Sequence, residues 1–177
     1  MKGLAHGLEI LVVLGLLNAA CQPAPISFRS PNKHELEPYS KAHGMTLIVD
    51  KLLEDASVVL YNKGTSFGYR LLTVRKPAGE VTVSLDVSTT KSDEPILIIG
   101  QLTGNHPFMA VVIQDAASLA ETRAVEAIID SQNCLGATTE GRAGVILVSP
   151  SPVHEWQTIA LYSAQGRVLY SQNNPSR

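Results

Sequence analysis

The chain of 177 residues has a formal net charge of −2, with 14 Lys and Arg against 16 Asp and Glu residues. This leaves no basic surplus to hold a nucleic-acid backbone, so we predict no nucleic-acid partner. Hydrophobic residues make up 45% of the chain and charged residues 17%, which excludes a disordered protein and predicts one domain with a substantial core.

The first 21 residues have the form of an export signal. Lys2 precedes an apolar run that ends at Leu17, and small residues and Cys21 follow. The run is shorter than the roughly 20 apolar residues that span a bilayer, and its length is typical of a signal-peptide core. We therefore predict a signal peptide over residues 1–20.

The end of this segment, Ala19-Ala20-Cys21, resembles the lipobox, the cleavage motif of bacterial lipoproteins. In that family the Cys thiol is alkylated with diacylglycerol and becomes the first residue of the mature chain. The resemblance implies that Cys21 is the lipidation site. It also implies a protein attached by this lipid to the outer face of a bacterial membrane, in the cell envelope. Two alternatives stay open: ordinary cleavage near Ala20, which gives a free secreted protein, and an uncleaved anchor.

The second cysteine is Cys134. If Cys21 carries lipid, Cys134 has no partner within the chain and is either a buried thiol or one open to oxidation. If Cys21 carries none, the two can form a disulfide in an oxidising compartment. The histidines are scattered singly, so we predict no metal site, and no sequence motif indicates a cofactor.

A proline-rich segment follows the predicted signal. Pro23, Pro25, Pro31 and Pro38 lie among polar residues, a composition that resists helix and sheet. We predict a tether over residues 21–40, which holds a single domain over residues 41–177 away from the membrane. The alternative is a loop packed on the domain.

From Met45 onward, short apolar runs are separated by turn residues. The predicted strands cover residues 46–53, 57–61, 69–75, 80–87, 96–99, 108–113, 123–129, 137–140, 145–148, 156–162 and 167–171. Residues 46–53 are also compatible with a helix. Residues 80–87 alternate strictly, with Val81, Val83, Leu85 and Val87 on one face. Residues 96–99 are continuously apolar, which predicts a central strand buried on both faces.

One helix is predicted, over residues 116–122, because Asp115 can cap it. The strand spacing predicts an all-β fold, an antiparallel β-sandwich of immunoglobulin-like general form with at most this one short helix. Residues 123–171 resemble the small β-sandwich modules of bacterial surface lipoproteins. The resemblance lies in an apolar strand and in Trp156, which leads to Tyr162 and a turn closed by Gly166.

One motif, Gly64-Thr65-Ser66-Phe67-Gly68, matches the G-x-S-x-G elbow of α/β-hydrolases. That elbow needs a strand before it and a helix after it, whereas the residues after Gly68 predict a strand. We interpret the motif as a hairpin turn and predict no catalytic residue. A triad of Ser66 with His154 and Asp115 or Asp130 has no support from spacing.

These observations favour a lipid-anchored, non-enzymatic module of the cell envelope with a binding or structural role. Its partner would be a protein or an envelope polymer. The alternatives are a small envelope hydrolase that uses Ser66 and an accessory or sensor subunit of a membrane protein. A pocket with converging polar groups would favour the hydrolase, and a large exposed apolar patch would favour the subunit.

Overall fold

A computed structural model of the protein describes residues 26–130 and 133–175. The predicted signal peptide and Cys21 lie outside those ranges. So does part of the turn that the polar residues 131–133, between two predicted strands, indicate. The described elements are β1 (Ser27–Arg29), α1 (Lys33–Ala42), β2 (Thr46–Leu52), β3 (Ser57–Lys63), β4 (Ser66–Lys76), β5 (Glu80–Thr90), β6 (Ile96–Gln101), β7 (Phe108–Ile113), α2 (Ala116–Glu121), β8 (Ala124–Ile128), β9 (Cys134–Thr138), β10 (Gly144–Val148), β11 (Thr158–Tyr162) and β12 (Val168–Asn173). All strand pairs are antiparallel, so the predicted all-β antiparallel class is confirmed.

The strands form three sheets. Sheet A has the order β2-β3-β4-β5, sheet B the order β6-β7-β10, and sheet C the order β9-β8-β11-β12. In sheet A, β1 pairs with residues 74–76 of β4, beyond Leu72, where the pairing of β3 with β4 ends. A strand has only two edges and β5 occupies the other one, so β1 and β3 share one edge of β4.

The central strand of sheet B is buried on both faces. One face of β7 packs in a core with sheet A through Phe108, Ala110 and Val112. The other face packs in a second core with sheet C through Met109, Val111 and Ile113. No residue of β7 is more than 2% exposed. Because successive side chains of a strand point to opposite faces, an apolar run of this kind needs a sheet on each side.

The sheets therefore stack in three layers, and the predicted immunoglobulin-like form, which has two, is not confirmed. The central position predicted for residues 96–99 is also wrong, since β6 is an edge strand of sheet B and β7 is the central one. The continuous apolar run of β6 nevertheless reaches both cores, Ile98 on the side of sheet C and Ile99 on the side of sheet A.

Strand β5 departs from its strictly alternating sequence. An extra residue, Ser84, interrupts its pairing with β4, and such a bulge moves the following residues to the other face. Val81 therefore packs on the α1 side of sheet A and Leu85 on the side of sheet B. Val83 and Val87 are 43% and 36% exposed, so the predicted single apolar face is divided in two.

Helix α1 corrects the prediction of a tether over residues 21–40 and of at most one helix. Asn32 and Glu35 form a capping box, in which Glu35 N–H donates to Asn32 Oδ1 (3.1 Å) and Asn32 N–H donates to Glu35 Oε2 (2.8 Å). Leu36, 3% exposed, packs against sheet A. Pro38 lies inside the helix. The stabilisation from the cap and from the packing of Leu36 exceeds the cost of the proline, which removes one hydrogen bond from the helix.

The turns between strands agree with the sequence in most places. Gly64 and Thr65 form the two-residue connection of β3 with β4, and Gly64 has a φ of +60°, as the tight hairpin turns require. Gly166, with a φ of +76°, closes the turn before β12. Helix α2 begins after its predicted cap, Asp115, whose carboxylate accepts the N–H of Ser118.

Gly68 in β4 has no room for a side chain. A Cβ there would lie 2.5 Å from the carbonyl oxygen of Val87 and 2.6 Å from the hydroxyl of Tyr61. We expect Gly68→Ala to lower the free energy of unfolding by about 1–3 kcal/mol, because the backbone and the ring must both move. The matched control is Gly136→Ala in β9, where the nearest atom to a Cβ is 3.9 Å away. Urea unfolding of both variants tests this, and equal stabilities would contradict the packing argument.

Candidate functional site

One end of the stack, which we call the β1 end, joins loops from all three sheets. It consists of residues 26–30, the turn 53–56 with the adjoining strand ends 51–52, 75–76 and 80, and the loops 102–107 and 149–157. Ser30 Oγ lies 2.8 and 2.7 Å from the carbonyl oxygens of Leu53 and Ala56. In the same turn, Asp55 Oδ1 lies 2.8 Å from His106 Nε2. The first residues of the described domain are thereby fixed to its loops.

The loop after β10 completes this end. Ser149 N–H donates to the carbonyl of Pro107 (2.9 Å), and Val153 N–H donates to the carbonyl of Leu102 (2.7 Å). Gln157 N–H donates to the carbonyl of Ile128 (2.7 Å), which connects the loop to β8. These backbone hydrogen bonds bring the end of sheet C to the same side as the N-terminal strand.

A cleft of about 370 Å³ opens between this loop and the β8–β9 hairpin. Pro150, Pro152 and Val153 give it an apolar wall, and Asp130 and His154 lie at its polar rim. The volume is at the lower end of the range for small-ligand sites, about 300–1,000 Å³. We call it the end cleft.

Two polar side chains of the end cleft, Asp130 and Ser149, bond to neighbouring residues of their own loops. Asp130 accepts the backbone N–H of Asn133 (2.9 Å) and its side-chain amide (2.8 Å), and Ser149 Oγ donates to the carbonyl of Ser151 (2.7 Å). Within residues 26–130 and 133–175, no three His, Cys, Asp or Glu side chains are placed to hold a metal ion. The arrangement suits a small polar ligand or a short segment of polymer held by shape and hydrogen bonds.

Cys134, also at the end cleft, is exposed and is paired with no cysteine among residues 26–130 and 133–175. Although the residue as a whole is exposed, partial desolvation of its sulfur raises the pKa of the thiol to about 11, and the hydrogen bond with Glu126 and the charge of that carboxylate add to the shift. Glu126 also accepts a hydrogen bond from the hydroxyl of Tyr162 (2.9 Å). The thiol is therefore protonated at neutral pH and is a poor nucleophile.

Ser66 does not occupy a nucleophile elbow. It is the first residue of β4, opposite Lys63 of β3 and Thr90 of β5, so the motif lies on a strand-to-strand connection. No histidine or carboxylate hydrogen-bonds to Ser66 in the part of the chain that the structure describes. The second glycine of the motif, Gly68, has a packing role beside the ring of Tyr61.

The four histidines within residues 26–130 and 133–175 lie in different parts of the fold. His34 belongs to α1 and is exposed, and His43 is the C-cap of that helix, with its ring 4.2 Å from the ring of Tyr39. His106 contacts Asp55, and His154 lines the end cleft. The structure does not bring any of them to Ser66.

The sequence reasoning missed a cluster on the outer face of sheet A. Arg70 forms an ion pair with Asp86 (2.8 Å) and donates to the hydroxyl of Tyr39 (2.9 Å), while the hydroxyl of Tyr61 donates to Asp86 (3.0 Å). Burial alone would raise the pKa of Asp86, but the hydrogen bonds from Arg70 and Tyr61 and the charge of Arg70 lower it below its usual value. The only sequence signal was an Arg and an Asp on two segments predicted as strands, and these strands are neighbours in sheet A. Through the hydrogen bond of Arg70 with Tyr39, the cluster links α1 to the sheet.

We expect Cys134 to react slowly with iodoacetamide, because a thiol with a pKa of about 11 is roughly 0.1% thiolate at pH 8. Glu126→Gln removes a negative charge that disfavours the thiolate, so it lowers the pKa and raises the rate. Glu37→Gln, on the surface of α1, is the control and leaves the rate unchanged. Mass spectrometry of the Cys134 peptide across pH measures the rates, and a midpoint near the ordinary thiol pKa of about 8.5 would contradict the shift.

We expect Ser66 to stay unlabelled by a fluorophosphonate probe, which marks activated serines, because no base and no oxyanion donors are arranged around it. A serine hydrolase in the same reaction serves as the positive control. We expect Ser66→Ala to change the free energy of unfolding by less than about 0.5 kcal/mol. Stoichiometric labelling of the wild-type chain, absent in Ser66→Ala, would instead support the hydrolase.

Comparisons with known proteins do not place this chain in a family. No family model matches it, and neither the curated proteins nor the solved structures contain a match.

Proposed function

We propose that this chain is an exported, lipid-anchored module of the bacterial cell envelope, with a binding or structural role and no catalytic one. The observation that carries the proposal is the short apolar run that ends in Ala19-Ala20-Cys21. Cys21 is the lipidation site, residues 1–20 are the signal peptide, and the membrane is a partner through the lipid.

The position of the fold relative to Cys21 supports this organisation. Strand β1 begins at Ser27, so the folded domain starts within a few residues of the proposed anchor. Both cores lie within that domain. Among residues 26–130 and 133–175, no helix is long and apolar enough to cross a membrane.

The chemistry of the described residues supports a binding or structural role. Ser66 lies at the start of a hairpin strand, and the thiol of Cys134 is held in its protonated form. The end cleft offers an apolar wall with a hydrogen-bonding rim, which suits recognition of a protein segment or of an envelope polymer.

Replacement of the anchor tests the proposal. We expect Cys21→Ser to leave an uncleaved precursor or to move the chain out of the membrane fraction, because serine cannot take the thioether-linked lipid. Cys134→Ser is the matched control and leaves membrane retention unchanged. Fractionation with intact-protein mass spectrometry reads out both variants. Wild-type retention and mass in Cys21→Ser would refute the proposed anchor.

A further inference from the structure

The distance from Cys21 to the first described residue limits where a lipid anchor can hold this domain. Five peptide steps separate Cys21 from Ile26, and five residues reach at most about 17 Å when fully extended. The opposite end of sheet A is much farther away, because the eleven residues of β4 extend over roughly 34 Å. In an anchored chain, Ile26 therefore lies within about 17 Å of the lipid on Cys21, and the β1 end is the end of sheet A held nearer to the bilayer.

The β1 end carries exposed apolar side chains next to this anchor. Ile26 is 57%, Phe28 49% and Leu52 62% exposed. Phe28 lies in β1, and Leu52 is the last residue of β2, directly before the turn whose carbonyls contact Ser30. Leu, Ile and Phe side chains of this kind bury favourably at the boundary of headgroups and acyl chains.

The charges at this end are nearly balanced. Lys51, Arg75 and Lys76 lie beside the apolar side chains, and Glu54 and Glu80 are close to them in the turn and at the start of β5. The same end also carries Asp55, which faces His106, and Glu155 in the loop after β10. A further cation, Arg29, is paired with Glu35 of α1. With this balance, attraction to anionic lipids is weak, so a contact with the bilayer rests on its apolar part.

We propose that the β1 end docks on the bilayer that holds Cys21, with Ile26, Phe28 and Leu52 inserted among the lipid headgroups. This inference rests on the proposed lipid anchor. It replaces the predicted tether, which would hold the domain away from the membrane, by a domain seated on the membrane surface. The end cleft belongs to the same end, so its opening lies close to the lipid.

Fluorescent labels at single cysteines test the docking on the full, lipidated chain. In a Cys134→Ser background, Phe28→Cys and Leu52→Cys each receive an environment-sensitive fluorophore, and the protein is reconstituted in vesicles containing spin-labelled lipids as quenchers. The matched control is Val168→Cys. Val168 is 53% exposed and pairs with Tyr162, at the end of β11 away from the β1 end. Circular dichroism verifies that each variant is folded.

We expect blue-shifted, lipid-quenched emission at positions 28 and 52 and water-like emission at position 168. The signal is the same in zwitterionic and anionic vesicles, and it persists at high salt because it does not depend on charge. A signal that requires anionic lipid and disappears in salt would overturn apolar insertion.

The mass of the same preparation separates the two hypotheses. Water-like emission at positions 28 and 52 in a chain whose mass shows lipid on Cys21 would overturn the docking and leave the anchor intact. In that case the exposed apolar side chains of the β1 end would be assigned to contact with a protein partner. A chain without lipid on Cys21 would overturn the proposed function and, with it, this inference.

Discussion

The fold depends on the burial of both faces of β7. Its six side chains are divided between two cores, so the strand is stable only when sheet A covers one face and sheet C the other. Sheet B has only three strands, and a sheet of this size with two apolar faces would not be stable in water by itself. Loss of either outer sheet would expose one side of β7 to solvent. The three layers are therefore coupled and form one cooperative unit rather than two independent sandwiches.

Polar contacts add to the apolar packing of α1 on the outer face of sheet A. Near its first turn, α1 is tied to β1 by Arg29 and Glu35, and toward its C-terminal end it is tied to the sheet by Tyr39 and Arg70. The hydrogen bond from Arg29, with the backbone N–H of Asn32, lowers the pKa of Glu35 to about 2. Glu35 thus remains charged at any ordinary pH, and its contacts with the guanidinium and the cap are retained.

Local sequence was sufficient to predict most strands, but not how the sheets are layered. Both ends of β7, Phe108 and Ile113, are predicted correctly because polar residues and a proline flank an unbroken apolar run. The alternation in β7 assigns each side chain to a face, but does not indicate which sheet covers that face. The bulge at Ser84 depends on pairing with a neighbouring strand, which is not visible in a single segment. The end cleft was missed for a related reason: its walls come from loops that are distant in the chain.

Strand β1 also protects an edge. Residues 74–76 of β4 have β1 as their partner on the side where β3 has ended, and the first of them, Val74, is fully buried. Removal of β1 would leave their backbone N–H and C=O groups unpaired next to apolar surface, and such open edges recruit strands from other chains. A version of this protein shortened past Arg29 would therefore be prone to aggregation, even with both cores intact. The three residues that follow the proposed anchor so closely also help to keep the molecule from pairing with its own copies.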